Sequence, residues 1–331
     1  MNILYTANDL FVEKVATSMC SVFENNKEIK EICVYFIGQG ISEENKEKLR
    51  QLSSNYKREI KLINLENLNN YFNFEFDTLG WNPIILARLL LDKLLPNTIN
   101  KILYLDGDTV NIQSLKKLWD IDLKDNVLGA CIEATVDANR KEQLGLKDYP
   151  YINSGVLLFN LSKWRDENWG EKIIEHYKNS QGRMFAADQD VINAVLKDNI
   201  YYLPPKYNFY NIYWFYPYKT LKKLMGNAYY YDTNTYNESL KNPSIIHYLG
   251  EERPWRKGNK HKFLADYRKY HSKTPWADEP EEAGWELYFV CWNIFNIVTR
   301  PFPLLRYRII NKLIPWFMKW RKKQLAKKKD R

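Results

Sequence analysis

Short apolar runs and helix-period segments take turns along the chain. "NILYTA" (residues 2–7), "EICVYFIG" (31–38), "REIKLINL" (58–65) and "KILYL" (101–105) read as strands that are buried on both faces, because apolar residues run on without alternating. Between them, Val12, Val15, Ala16, Met19, Val22 and Phe23 fall at helical spacing. "SEENKEKLRQLS" opens with a capping pattern, Ser42 followed by Glu44 and Asn45, ahead of a polar helix. Pro83 opens and Pro96 closes an apolar helix, "IILARLLLDKLL". Further on, "NVLGACIE", "YPYINSGVLLFNL" and "PSIIHYLG" read as strands, and "SKWRDENWGEKIIEHYKNS" and "ADQDVINAVLK" as helices. Residues 204–242, rich in Tyr and Asn and without a clear period, read as a long aromatic loop region.

Strands and helices alternating at this spacing predict an α/β fold: a mostly parallel, Rossmann-like sheet covered by helices on both faces. Ligands of such sheets collect beyond the carboxyl ends of the strands, where "TAND" (6–9) and "DGD" (106–108) both fall. Neither an internal repeat nor a Gly/Ser linker divides the body.

Charge alters the picture only at the end of the chain. The net charge is +9, but 12 of the 49 Lys and Arg lie from Arg300 onward against a single acid. Residues 1–299 therefore hold 37 basic and 39 acidic side chains and are nearly neutral. No basic stripe with stacking aromatics crosses the body, which argues against nucleic acid as a partner. The four cysteines lie far apart with no C-x-x-C pair, and the first residues lack a signal-like apolar core, so a reducing cytoplasm is expected and the sequons at Asn160 and Asn237 carry no meaning. Residues 285–298 are too short an apolar run to span a bilayer. In the last segment Leu305, Ile309, Leu313, Trp316, Phe317 and Trp320 share a helical face amid Lys and Arg, the composition of a basic amphipathic helix lying on anionic lipid. The competing expectation is a packed helix with a solvated basic end.

"LDGDTV" carries the sharpest chemistry. Two carboxylates at i and i+2 share a small volume only if the backbone turns between them, which Gly107 makes easy, and a divalent cation relieves their repulsion. Three other readings compete: a plain D-G hairpin, a surface loop, and the D-x-D-x-[TV] nucleophile motif resembling haloacid dehalogenase-type phosphatases, whose distal acidic cluster is missing here. Taken singly, Arg88 could snorkel, His247 could be a satisfied core histidine, Asn153 could end a turn, and Asp188 could cap a helix.

Taken together, seven segments in order resemble glycosyltransferase family 8, in its lipooligosaccharide galactosyltransferase-like and stress-protein-like branches. "ILYTAND" is similar to the family's nucleotide loop, "LARLLL" to its arginine helix, "YLDGDTV" to its D-x-D motif, and "LKKLWDIDLKDNVLGACIE" to the stretch after that motif. "YINSGVLLFNLSKWR" and "ADQDVINAVL" are similar to its sugar-binding segments, and "IIHYLGEERPW" to its H-x-x-G-x-x-K-P-W motif. The resemblance covers roughly residues 1–260 and implies a GT-A fold and retaining transfer of a hexose from a UDP-sugar to a glycan or glycolipid.

By the same resemblance, Asp106, Asp108 and His247 would hold Mn²⁺ or Mg²⁺. Thr6, Ala7, Asn8 and Asp9 would meet the nucleoside, and Gly250 and Arg253 the phosphates. Arg88 and Asp188 would grip the donor sugar, with Asn153 and Gln189 near its reactive face and Asp188 and Gln189 the candidate catalytic pair. The sequence departs from the pattern at Arg253 (for lysine), Asn8 and Glu133. The expected division is a catalytic domain over 1–265 and an aromatic, basic membrane-association region over 266–331. A non-catalytic UDP-sugar or glycan-binding protein is the remaining alternative.

Overall fold

The computed structural model describes residues 1–329, with side chains through Lys319. Nine strands form two sheets among these residues: β1 (Asn2–Asn8), β2 (Cys33–Gln39), β3 (Glu59–Asn64), β4 (Lys101–Leu105), β5 (Thr109–Asn111), β6 (Leu128–Ile132), β7 (Ile152–Asn160), β8 (Ile200–Tyr202) and β9 (Ile245–His247). The main sheet runs β3-β2-β1-β4-β7-β6-β8, and β5 pairs with β9 alone. Every main-sheet pairing is parallel except the two made by β7. The α/β, GT-A-type expectation is therefore met.

Alternation along β1 explains the layers. Ile3, Tyr5 and Ala7 point into one core with helix α1 (Val12–Asn25), where the Tyr5 hydroxyl lies 2.9 Å from Ser18 Oγ, while Leu4 joins the opposite core. The capping pattern is realised, since Ser42 Oγ accepts from Asn45 N at the start of α2 (Glu43–Asn55).

Three expectations need correction. Residues 83–94 are not one α-helix: Pro83–Leu89 winds as a 3₁₀-helix, Leu90 leaves helical geometry, and Leu91–Leu94 is one short turn. Burial of Ile84, Leu86, Ala87 and Leu89 in the second core overrides their preference for the wider helix. The aromatic stretch 204–242 is not a loop but contains helices Ile212–Phe215, Tyr218–Met225 and Thr233–Lys241. They are short and bury two residues each, Ile212 and Tyr213, Leu221 and Met225, and Tyr236 and Ser239, too few to show a period, yet Asp232 caps the last of them through Asn234 N and Thr235 N. The boundary after residue 265 falls inside a helix, Leu264–His271, whose Tyr267 and Tyr270 belong to the main core along with Trp276.

After α3 (Ala187–Leu196), the chain ends in two long helices, α4 (Glu286–Thr299) and α5 (Pro303–Lys329). Their inner sides are docked on the body. Arg306 is buried, donates to Thr299 Oγ1 at 2.9 Å, and stacks its guanidinium on Phe215 at 4.0 Å and Trp292 at 5.3 Å. Of the six residues expected on the apolar face of α5, Leu305, Leu313 and Trp316 are exposed, Ile309 and Phe317 are half-buried, and the Trp320 side chain lies outside the described residues. No described helix is long and apolar enough to cross a membrane.

Candidate metal and donor site

β1 and β4 lie side by side, so their ends, Asn8 and Leu105, open into one crevice. The chain turns directly after β4, with Thr109 N and Thr109 Oγ1 both donating to the Asp106 carbonyl. Gly107 is needed there for a reason other than the one expected. Its φ is not positive, but an added Cβ would lie 2.6 Å from Val15 Cγ2. The antiparallel register of β5 and β9 sets His247 opposite Thr109, and Tyr248 N donates to the Asp108 carbonyl at 3.0 Å. The small sheet thus delivers a residue 139 positions downstream to the two carboxylates.

Asp106, Asp108 and His247 can each present one ligand atom within a 4.8 Å group. His247 Nε2 lies 3.2 Å from Asp108 Oδ1 and 3.8 Å from Asp106 Oδ2. Burial pushes the imidazole down to about 4, so the ring is neutral at pH 7. Nδ1 meets the Asn208 amide oxygen at 2.9 Å, which fixes the proton on Nδ1 and leaves Nε2 a lone pair aimed at the carboxylates. Nε2 is buried without a hydrogen-bond partner among the described residues. Such an orphan atom facing two carboxylate oxygens fits a divalent cation. Gly155 leaves the room: a Cβ there would sit 2.1 Å from His247 Cε1 and 3.0 Å from Asp106 Oδ2.

Arg88 is the second centre. It is buried, and Nη2 donates to Asp106 Oδ1 at 2.9 Å, while Nη1 donates to the Ser154 carbonyl at 2.8 Å and lies 3.3 Å from Asp188 Oδ2. Its guanidinium stacks over Tyr104 at 4.1 Å, and Tyr104 OH donates to Asp106 Oδ1 at 2.5 Å. Burial alone would raise the Asp106 carboxyl; Arg88, His247 and Tyr104 together hold it below its usual range. Asp188, more deeply enclosed, is pushed up to about 6 by burial despite Arg88. Its Oδ2 makes no hydrogen bond among the described residues. The preceding Ala187 holds φ +41°, a strained geometry at the start of α3 that aims Asp188 into the crevice.

Gln189 Oε1 accepts from Ser154 N at 2.9 Å, and Nε2 donates to Tyr151 OH at 3.1 Å and toward Glu133 Oε2 at 3.4 Å. Asn153 Nδ2 donates to the same Glu133 oxygen at 2.9 Å, and Asn208 Nδ2 to Asn153 Oδ1 at 2.8 Å. Arg253 forms an ion pair with Asp108 and donates to the Tyr248 carbonyl at 2.9 Å. Gly250, at φ +72°, faces open space. At the end of β1, Thr6 and Ala7 are buried, Asn8 is half-buried, and Asp9 Oδ1 accepts from Ser42 N, Ser42 Oγ and Asn45 Nδ2. That carboxylate thus also anchors the start of α2. Arg88, Asp106, Asp108, Asn153, Asp188, Gln189, His247 and Arg253 are linked by these contacts, and Thr6 Oγ1 reaches them through Tyr104 OH at 3.3 Å, whereas Asp9 turns to Ser42 and Asn45. Tyr104, Tyr151, Ser154, Gly155 and Asn208, which have no expected role, complete the group. Asn208 was hidden in the presumed loop and Tyr104 in an apolar strand.

The profile of the family described as "Glycosyl transferase family 8" matches residues 2–258. The chain belongs to that family. It is 27% identical to General stress protein A of Bacillus subtilis (strain 168) over 279 residues, 83% of this chain and 94% of the relative. It is 26% identical to a lipopolysaccharide 1,2-glucosyltransferase of Escherichia coli (strain K12), covering 86% of this chain and 81% of the relative. Among solved structures, an active-site mutant of LgtC superposes with a TM-score of 0.70 at 25% identity, over 83% of this chain and 96% of that one. The galactosyltransferase LgtC in complex with donor and acceptor sugar analogs superposes with a TM-score of 0.67 at 24% identity. Family membership sets the phosphatase alternative aside: the D-x-D pair lies at a strand end in the fold of a family 8 glycosyltransferase.

Asp188 and His247 divide the pH response. The Asp188 carboxyl takes a proton near pH 6, well above an unperturbed aspartate at about 3.9, whereas His247 stays neutral down to about pH 4. Donor kcat/KM should therefore fall with an acid limb near pH 6, because a protonated Asp188 no longer balances Arg88. In Asp188→Asn that limb should vanish from an already reduced rate; a limb kept near pH 6 in the variant assigns it to another group.

Proposed function

We propose that the protein is a metal-dependent, retaining hexosyltransferase that takes galactose or glucose from a UDP-sugar and passes it to a glycan or glycolipid of the cell surface, working on the cytoplasmic face of a membrane. The observation that carries this reading is the Asp106, Asp108 and His247 group, with its orphan Nε2 facing two carboxylates at the mouth of the sheet. These three residues would hold the ion, and a mixed oxygen and nitrogen set favours Mn²⁺ over Mg²⁺. When bound, the ion supplies positive charge where the UDP leaving group gains negative charge.

The chain's own groups do the rest. Arg253 brings a second cation to the diphosphate side, and the open approach at Gly250 admits the phosphates. Thr6, Ala7, Asn8 and Asp9 border the nucleoside. The unbonded Asp188 Oδ2, 3.3 Å from Arg88, is an acceptor for a donor-sugar hydroxyl. Gln189 is neutral and its oxygen already accepts from Ser154, which makes it a poor nucleophile. Same-face attack by the acceptor hydroxyl, with Gln189 and Asn153 bordering the developing positive charge, accounts for this better than a covalent intermediate. The test is UDP release from UDP-galactose, UDP-glucose and their N-acetyl forms, with and without Mn²⁺. Metal-stimulated release from one of the hexose donors supports the reading, and a protein that binds a UDP-sugar but never releases UDP is a binding module.

The membrane part of the reading rests on the outer face of the helix pair. Leu287, Val290, Ile294, Ile297 and Val298 are exposed along α4, and Arg300, Arg308 and Lys312 are exposed on the same pair of helices. Replacing Ile294 and Ile297 together by Glu should weaken binding to phosphatidylglycerol vesicles about tenfold or more, since each inserted isoleucine contributes roughly 1.5–3 kcal/mol. Unchanged cosedimentation would refute a lipid role for this face.

A further inference from the structure

Between the body and the two terminal helices lies a cleft of about 560 Å³. It adjoins the candidate donor site through Glu133, which lines it and accepts from Asn153 and Gln189, and Gly250 lines it as well. Its outer wall comes from the terminal helices, through Tyr288 and Trp292 of α4 and Tyr307 and Asn311 of α5. The wall is held in place by contacts to the body. Arg306 stacks on Phe215, Tyr307 OH donates to the Val136 carbonyl at 3.4 Å, and Asn311 Nδ2 donates to the Thr135 carbonyl at 3.5 Å.

Chemistry changes along the cleft. Near Glu133 and Arg140 it offers carboxylate, guanidinium and amide groups, which suit hydroxyls. Its middle presents the flat rings of Tyr288 and Trp292, which suit the apolar face of a pyranose. Its outer end is lined by Ile310, Ile314 and Pro315, next to the exposed Leu313 and Trp316.

From this gradient we infer that the cleft is the acceptor subsite and that the terminal helix pair builds half of it, so that the acceptor is a sugar carrying an alkyl or lipid aglycone. The sugar lies against the edges of the tyrosine and tryptophan rings, which stack on each other with centroids 6.3 Å apart, with one hydroxyl directed at the donor site, and the aglycone leaves over Ile314 toward the apolar outer face. Membrane attachment and acceptor recognition are then functions of the same two helices. This inference rests on the transferase reading above and adds the class of acceptor and the residues that hold it.

The test uses the full chain, the UDP-hexose that gives the fastest UDP release, and four probes: octyl β-galactoside, octyl β-glucoside, octyl β-lactoside and free lactose. An octyl glycoside should stimulate UDP release with a lower KM than the free sugar. Tyr288→Ala and, independently, Trp292→Leu should raise the acceptor KM about tenfold, as expected for loss of one stacked ring in an enclosed site, and change the donor KM by less than about twofold. Octyl-glycoside KM values left unchanged in both variants overturn the inference, as does a donor KM that rises in parallel. An enzyme that hydrolyses UDP-sugar yet responds to none of the four probes also counts against it. A protein that releases no UDP from any donor overturns the transferase reading, and this inference with it.

Discussion

His247→Ala should lower metal-stimulated UDP release at least about a hundredfold, because even the outer partners of metal ligands are commonly worth 10–100-fold in affinity or activity. The expectation comes from the asymmetry of the ring. Nδ1 is engaged by Asn208, Nε2 has no partner among the described residues and looks onto Asp106 and Asp108, and burial keeps the ring neutral. Asn208→Ala should give a smaller loss within that 10–100-fold range, partly recovered by raising Mn²⁺, since it frees the ring without removing a ligand. The two variants are compared by titrating Mn²⁺ at saturating donor while following UDP, with a thermal melt to show that each is folded. A His247→Ala enzyme with wild-type metal dependence would remove His247 from the metal set, and an Asn208→Ala enzyme harmed as severely as His247→Ala would mean that Asn208 itself meets the donor.

Much of this site is legible in the sequence. The apolar run "KILYL", ending on Asp106, Gly107 and Asp108, places two carboxylates at a strand end, and pattern and charge repulsion are enough to see it. His247 could be joined to them only through the family resemblance, because no local rule says that β9 pairs with β5. That pairing is a long-range contact, and its register alone decides which residue faces Asp108. Asn208, Tyr104 and Ser154 escaped for the same reason: their roles arise from the groups they touch across the fold, not from their neighbours in sequence. The aromatic stretch failed differently. Its helices are short and bury two residues each, so no period has room to show even though Asp232 offers a cap. The tail forms the helix that its spacing predicts, but composition could not show that Arg306 would turn inward and stack on Phe215, fastening a segment expected to serve lipid onto the body.

Arg88→Ala should be the most destabilising single change at the site, by about 3–5 kcal/mol, the usual consequence of removing one partner from a buried ion pair. Arg88 and Asp188 are both almost wholly enclosed, and the guanidinium also supports Asp106 and covers Tyr104. Without it, Asp188 is a buried carboxylate with no cation beside it among the contacts described, and donor turnover should be lost together with stability. A double-mutant cycle separates the charge from the packing. Arg88→Ala with Asp188→Asn removes both charges, so the pair should be more stable than Arg88→Ala alone, with a coupling of about 1–3 kcal/mol. The pH dependence supplies an independent check on sign. Asp188 already binds its proton more tightly than an unfolded aspartate, and loss of Arg88 strengthens that preference. A native state that holds more protons than the unfolded chain gains stability as pH falls, so the melting temperature of Arg88→Ala should climb between pH 8 and pH 6, and that climb should be absent from the double variant. A double variant as unstable as Arg88→Ala, with the same pH response, would show that Arg88 acts through Tyr104 and Ser154 and that Asp188 is no partner to it.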